Sequence, residues 1–218
     1  ANARKGPITL RTPPHPEALL MTKGYTGFGA IYGTWIASTE PGMEWDRALL
    51  EYCRGEREIP AWGISTADYH EEGLGGEKLG NFPTVFLVKK KTRDEVLLAL
   101  KQGRMYACRS GNNFQRFVLQ DFSVSDSNTN SQANMGDTLE LNSKPEIRIN
   151  VSSSDQKVHN VDVRIIRSGK LIRTISKTTP FAVDFKEDYF NPGELIYYRL
   201  EISGKLVSNP IFVKFGRE

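Results

Sequence analysis

Two side chains that could hold one metal ion, Asp68 and His70, lie two residues apart in the sequence. They follow residues 62–66, whose β-branched side chains favour an extended strand. Side chains at positions i and i+2 of a strand point to the same side, so this carboxylate and this imidazole can converge beyond the strand's carboxyl end. Both groups suit Zn, Mn or Fe, and a bound metal with a free position turns water into a nucleophile. An isolated Asp-x-His pair is more often a hydrogen-bonded structural contact, so the surrounding elements have to decide between the two interpretations.

Upstream, a third candidate ligand lies at the end of a short apolar run. His15 stands between Pro14 and Pro16, after the apolar residues 8–10. The prolines exclude a helix here and favour an extended turn. We therefore expect His15 to lie at a strand end, as Asp68 and His70 do.

Downstream, the chain predicts a strand, a helix and a second strand. Residues 83–89 have the apolar character of a buried strand, and Thr92 followed by Glu95 fits the capping box that begins a helix. Gly103 is a typical residue to end that helix. A strand over residues 105–108 follows at once.

These segments resemble the last third of a PHP (polymerase and histidinol phosphatase) domain. The resemblance is carried by GISTADYH at 63–70, by LLALKQGRMY at 97–106, by Pro14-His15-Pro16 and by residues 198–213 with their Ser-Asn-Pro-Ile-Phe-Val ending. The tail is similar to that of PHP metallohydrolases of the CehA/McbA type, which carry a sandwich domain. The resemblance implies a distorted barrel of parallel strands with up to three divalent metal ions at its carboxyl edge, used to hydrolyse phosphoesters or related esters.

Carried over position by position, the resemblance makes His15, Asp68 and His70 metal ligands, with Asp68 and His70 in the catalytic centre. It also suggests substrate-binding roles for Arg104, whose guanidinium could bind an anion, and for Tyr69. A structural turn at Arg104 and a packing role for Tyr69 are the alternatives. The family's first-strand His-x-His pair is missing, so we expect a carboxyl-terminal part of a longer protein, inactive without its amino-terminal remainder.

The pattern of apolar residues changes near residue 114. Before it, alternating strands and helices predict a parallel sheet, including a strand over 29–35 and a helix over 44–54 with one apolar face. After it, apolar residues alternate with polar ones at a period of two, and no helix is predicted. Seven strands are predicted, at residues 117–124, 146–151, 161–166, 171–175, 181–185, 194–201 and 210–215. The predicted fold is α/β plus all-β: residues 1–114 form the carboxyl-terminal portion of a distorted (β/α)7 PHP barrel, and residues 115–218 an antiparallel immunoglobulin-like β-sandwich.

Composition sets broader limits. The 29 basic and 26 acidic residues nearly balance, which argues against a nucleic-acid partner, and no apolar run is long enough to span a bilayer. Cys53 and Cys108 are too few and too far apart for a disulfide framework or a zinc knuckle, so we expect buried thiols. The resemblance to the CehA/McbA type suggests that the parent protein is exported from the cytoplasm; no feature of the sequence itself indicates this.

Two functional hypotheses therefore stand side by side. The first is a metal-dependent phosphoester hydrolase that uses a metal-bound hydroxide. The second is a binding or scaffolding piece whose sandwich contacts a carbohydrate or another protein. Under this hypothesis the metal-site residues are inherited but do not bind a metal ion. A bound metal ion would stabilise the chain under the first hypothesis and not under the second.

Overall fold

The computed structural model describes residues 2–11, 15–32, 37–67, 69–72, 78–126, 128–129 and 131–216. The helices within these ranges are α1 (Ala18–Met21), α2 (Glu44–Cys53) and α3 (Arg93–Gln102). The strands are β1 (Asn2–Lys5), β2 (Ile8–Arg11), β3 (Gly27–Ile31), β4 (Trp62–Ser65), β5 (Thr84–Phe86), β6 (Met105–Cys108), β7 (Phe117–Ser125), β8 (Gln132–Asn134), β9 (Thr138–Leu141), β10 (Glu146–Ser153), β11 (Asn160–Arg167), β12 (Lys170–Thr178), β13 (Phe181–Lys186), β14 (Leu195–Ile202), β15 (Leu206–Ser208) and β16 (Ile211–Phe215).

Two large sheets face each other across one apolar core. A four-stranded sheet has the order β13-β10-β7-β8, and an eight-stranded sheet has the order β12-β11-β14-β15-β6-β5, with β16 paired to β14 and to β9. Alternate residues of β7, β10, β11 and β14 are buried between them, as a two-residue period requires. The arrangement is that of a sandwich, but β9 and β16 pair in parallel, which the expected purely antiparallel topology does not contain.

The other face of the eight-stranded sheet is covered by the first half of the chain. Helix α2 and the parallel pair β3–β4 pack there around a second core, to which β6, β14, β15 and β16 each contribute. The apolar face predicted for α2 is present, since Trp45, Ala48 and Leu49 are fully buried. The eight-stranded sheet is therefore the middle layer of three.

The prediction of a (β/α)7 barrel portion is wrong. In the part of the chain that the structure describes, strands hold 42% of the residues and helices 15%, a balance that repeating βα units do not give. Within the described ranges, β3-α2-β4 is the single unit with parallel strands; β5 and β6, which also flank a helix, pair antiparallel. The predicted succession of strand, helix and strand is present as β5, α3 and β6, but the sequence did not determine the direction of β6 relative to β5.

The partners of β6 explain this direction. Tyr106 and Cys108 point into the core between the two large sheets, whereas Met105 and Ala107 point into the second core. Because all four side chains are buried and β6 pairs antiparallel with β15, β6 belongs to the eight-stranded sheet, together with strands from the second half of the chain. Helix α3 is then an insertion between two paired strands, closed where the backbone N–H of Leu87 donates to the carbonyl of Arg104.

The ends of α3 are those that the sequence predicts. The N–H of Glu95 donates to Oγ1 of Thr92 over 3.4 Å, and Gly103 ends the helix in the left-handed conformation at φ +72°. A Cβ on this glycine would lie 2.4 Å from the Trp62 ring, so space and backbone conformation both require glycine.

A buried ion pair fastens α2 to β14. The guanidinium of Arg199 donates to both carboxylate oxygens of Asp46 at 2.7 and 2.8 Å, and both side chains are 0% exposed. Arg199 also donates to the carbonyl of Thr39 and lies over the Trp45 ring, and Tyr197 donates to Asp46 over 2.7 Å. Attraction to Asp46 raises the pKa of Arg199 although burial opposes it.

A buried amide joins three strands at the Ser-Asn-Pro element. Asn209 accepts the N–H of Gly63 at 2.7 Å and donates to the carbonyls of Gly63 and Met105. It therefore satisfies backbone groups of β4 and β6 from the link between β15 and β16. The tail that suggested a family resemblance thus has a structural role in this chain.

No helix in the described part of the chain is both long and apolar enough to cross a membrane.

Candidate functional site

The carboxyl end of β4 is held beside the ends of three other strands. At Ser65, the N–H donates to Oγ1 of Thr84 over 3.0 Å and the hydroxyl donates to the carbonyl of Cys108 over 2.9 Å. The N–H of Thr66 donates to the carbonyl of Ile31, at the end of β3. The ends of β3, β4 and β6 and the start of β5 therefore meet at one edge.

Two of the predicted site residues, Tyr69 and His70, follow this edge directly; Asp68 lies outside the described residues. Both described side chains are exposed. The hydroxyl of Tyr69 is 3.5 Å from Oε2 of Glu72, and that same oxygen accepts the N–H of Leu79 over 3.3 Å. Glu72 thus links the segment after β4 to the residues before β5.

The third predicted metal ligand lies near α1. The His15 side chain is exposed, with Nδ1 3.6 Å from Oε1 of Glu17. Among the described residues, no three His, Cys, Asp or Glu side chains are grouped so that they could hold a metal ion. The described donors alone therefore do not make a metal site, and the ligand roles of His15, Asp68 and His70 stay predictions.

Arg104 lies at the opposite end of β6 from this edge. Its guanidinium is 3.3 Å from Oδ1 of Asp137, in the turn between β8 and β9. At the same end, the indole N–H of Trp62, the first residue of β4, donates to the carbonyl of Lys101 over 3.0 Å. The structure places Arg104 in this ion pair, and its role in binding substrate stays a prediction.

A cleft of about 860 Å³ opens beside the edge where the strand ends meet. We call it the loop cleft. It is lined by Lys78, Asn81, Phe82, Arg109, Ser110, Gly111, Asn113, Phe114, Gln115, Asp155, His159 and Lys205. The Phe82 ring lies 6.4 Å from that of Tyr32, the residue after β3, so the cleft adjoins the carboxyl ends of β3 and β6.

Backbone hydrogen bonds hold the loops of the cleft together. The N–H of Arg109 donates to the carbonyl of Lys205, in the hairpin turn between β14 and β15, over 2.8 Å. Ser110 donates to the carbonyl of Asn81 through its N–H and to that of Gly80 through its hydroxyl, also over 2.8 Å each. Side chains from both halves of the chain are therefore fixed around one cavity.

The walls of the cleft include an unusual backbone segment. Asn113 and Phe114 have φ values of +53° and +56°, in the left-handed region. Asparagine tolerates this region, but a bulky aromatic residue adopts it rarely. The conformation leaves the Phe114 ring 45% exposed, with the ammonium group of Lys78 5.8 Å from its centre.

The cleft is positively charged. Among the described residues that line it, Lys78, Arg109 and Lys205 are basic, and Asp155 is the one acidic residue. Neither Arg109 nor Lys205 forms a side-chain hydrogen bond or an ion pair with any residue that the structure describes. Two cations thus face the cavity without a described counter-charge.

The one carboxylate is already engaged. Asp155 accepts the hydroxyl of Ser153 at 2.6 Å and the N–H of Lys157 at 3.1 Å, and Nε2 of His159 is 2.9 Å away. These contacts, first the Ser153 hydroxyl, lower the pKa of Asp155 to about 2. The carboxylate is held by its own neighbours, so the other cations of the cleft are left for an external anion.

Sequence reasoning missed most of this cleft. Lys78 lies in a glycine-rich stretch of the sequence, residues 73–80, that matches no phosphate-binding motif. Arg109, Asp155, His159 and Lys205 come from three further loops that no local motif connects. The sequence offered one indirect signal: Arg109 follows directly after the strand over residues 105–108, where side chains often border a site.

Comparison with other proteins adds no assignment. No model of a known protein family matches the sequence. No curated protein is significantly similar to it.

Proposed function

We propose that this chain is part of a metal-dependent hydrolase of phosphoesters or related esters. The observation that carries the proposal is the position of Tyr69 and His70. They lie four and five residues after the carboxyl end of β4, and Glu72 of the same segment accepts the N–H of Leu79, which adjoins the cleft residue Lys78. The resemblance of residues 63–70 to the PHP pattern supports the same function. A negatively charged substrate would be drawn to such a cleft by its field.

Under this proposal, His15, Asp68 and His70 are metal ligands, and further ligands come from another part of the protein. A bound Zn, Mn or Fe ion would supply an acidified water molecule as the nucleophile. Tyr69 would contact the substrate, a role that its exposed position next to His70 supports.

Equilibrium dialysis against Zn²⁺ or Mn²⁺, followed by elemental mass spectrometry, tests the proposal on the purified chain. We expect metal uptake that falls strongly when Asp68 and His70 are both replaced by alanine, since three ligands are reduced to one. The matched control is Asp94→Ala, which removes an exposed carboxylate from the first turn of α3.

Equal metal uptake by the wild-type chain and the Asp68→Ala, His70→Ala variant would contradict the proposed ligand roles of Asp68 and His70 in this chain. It would leave the alternative in which the chain is a binding or scaffolding piece. A thermal melt separates the two hypotheses further, because a metal ion that binds only the folded chain raises Tm by mass action.

A further inference from the structure

We propose that the loop cleft is a binding site for a phosphate-type oxyanion, held by Arg109, Lys205 and Lys78. The inference deepens the proposed function and rests on it for the view that the anion belongs to a substrate. The binding itself is argued from the cleft alone. It assigns substrate recognition to residues from both halves of the chain, outside the predicted metal ligands.

The charge of the cleft is the first argument. Three basic residues line one cavity, and Asp155, the one acidic residue among its described lining residues, is held by Ser153, Lys157 and His159. Like charges brought together in this way repel one another, so an arrangement with unpaired cations is stabilised when an anion enters.

The chemistry of Arg109 is the second argument. A guanidinium presents a planar fork of N–H donors that matches two oxygens of a phosphate, whereas an ammonium group acts as a compact point charge. Arg109 is partly buried, and its backbone is fixed by the hydrogen bond to Lys205, so little backbone freedom is lost on binding. Lys205 on an adjacent turn can then contact a third oxygen.

The aromatic wall is the third argument, and it concerns the source of the phosphate. Phe114 is exposed, lines the same cavity as the cations, and has a backbone conformation that is unfavourable for an aromatic residue. Strained backbone of this kind is often found where a ligand binds. A phosphate ester with a flat apolar substituent could place its oxyanion on Arg109 and stack the substituent on Phe114.

Isothermal titration calorimetry of the metal-free chain, kept in a chelator at low salt, tests the inference. The probes are inorganic phosphate and phenyl phosphate. We expect both to bind, and Arg109→Gln and Lys205→Gln each to weaken binding about tenfold, the effect of losing one charge-assisted contact. Added KCl should weaken binding as well, because it screens the exposed charges.

Two control variants remove the same charges elsewhere. Arg93→Gln and Lys91→Gln alter exposed residues at the start of α3 and just before it, and neither should change the affinity. Lys205→Gln lies in an exposed hairpin turn, so it reports on the site even if Arg109→Gln fails to fold. Arg109→Lys keeps the charge and loses the fork, and it should give an intermediate affinity.

The two probes distinguish the sources of the anion. Tighter binding of phenyl phosphate assigns the site to an ester, whereas equal affinities assign it to free phosphate. The absence of binding at low salt, or affinities that Arg109→Gln and Lys205→Gln leave unchanged, would overturn the inference. Because no metal is present, that result would stand apart from a failure of the proposed hydrolase, which the metal dialysis reports.

Discussion

Replacing Arg199 by methionine should destabilise the chain far more than the loss of an ordinary surface ion pair. The substitution removes the hydrogen bonds from Arg199 to Asp46, Thr39 and Glu201 while keeping a side chain of similar length. The carboxylate of Asp46 then stays buried with only Tyr197 and the N–H of Gly42 as described donors. A buried charge that has lost its partner is the most costly outcome of such a change.

The expected magnitude is about 3–5 kcal/mol of unfolding free energy, the range for breaking a buried ion pair from one side. No reduction for solvent screening applies, because Arg199 and Asp46 are both 0% exposed. For a chain of this length, each kcal/mol corresponds to a fall in Tm of about 2–4 °C, so a fall of roughly 6–20 °C is expected.

Urea unfolding followed by circular dichroism measures this difference directly. The matched control is Arg148→Met, which breaks the ion pair with Asp184 on the four-stranded sheet. Those two side chains are 59% and 64% exposed, so solvent screens their attraction and only a small loss is expected. The double variant Arg199→Met, Asp46→Leu should lose less than the sum of its single variants, since it leaves no buried charge.

Equal losses for Arg199→Met and Arg148→Met would refute this reasoning. They would mean that water or a local rearrangement replaces the hydrogen bonds that Asp46 loses. The ion pair would then not be what fastens α2 to β14. Additive losses in the double variant would lead to the same conclusion.

Three further predictions concern other buried or hydrogen-bonded groups. Asn209→Leu should lower the free energy of unfolding by about 3 kcal/mol in urea titration, because it leaves backbone groups of β4 and β6 without their hydrogen bonds; a loss below about 1 kcal/mol would contradict the role of this amide. Burial raises the pKa of the Cys53 and Cys108 thiols to about 12, so mass spectrometry should find both resistant to iodoacetamide at about pH 8 in the folded chain and both alkylated in urea. The Ser153 hydroxyl and neighbouring donors lower the pKa of Asp155 to about 2, so its ionised form stabilises the fold above its unfolded pKa of about 3.9 and this contribution is lost as the pH falls towards 2. Asp155→Asn should therefore reduce the fall of Tm over this acid range, and an unchanged pH profile would rule out the contribution.

Local sequence patterns correctly predicted much of the secondary structure. The capping box at Thr92 and the glycine at position 103 placed α3, and two-residue alternation placed each of the seven strands predicted after residue 114. Strands β8, β9 and β15 were missed, because three or four residues are too few to show a period.

The direction of β6 could not be read from the sequence. A strand, a helix and a strand in succession fit a parallel unit and a helical insertion in an antiparallel pair equally well. The choice depends on β15, which is distant in the sequence. For the same reason the loop cleft was missed: its cations become neighbours only when hairpin turns from both halves of the chain meet.

The pairing of β6 with β15 also determines when this protein can fold. The strand over Met105–Cys108 leaves the ribosome long before Leu206–Ser208 exists. Until then, one of its edges and the apolar face formed by Tyr106 and Cys108 lack their final partners. Contacts between residues so distant in sequence are slow to form, since a long loop has to close first. An unpaired apolar strand is also prone to pair with another chain. We therefore expect the newly made chain to depend on chaperones that bind exposed strands until its carboxyl-terminal residues complete the middle sheet.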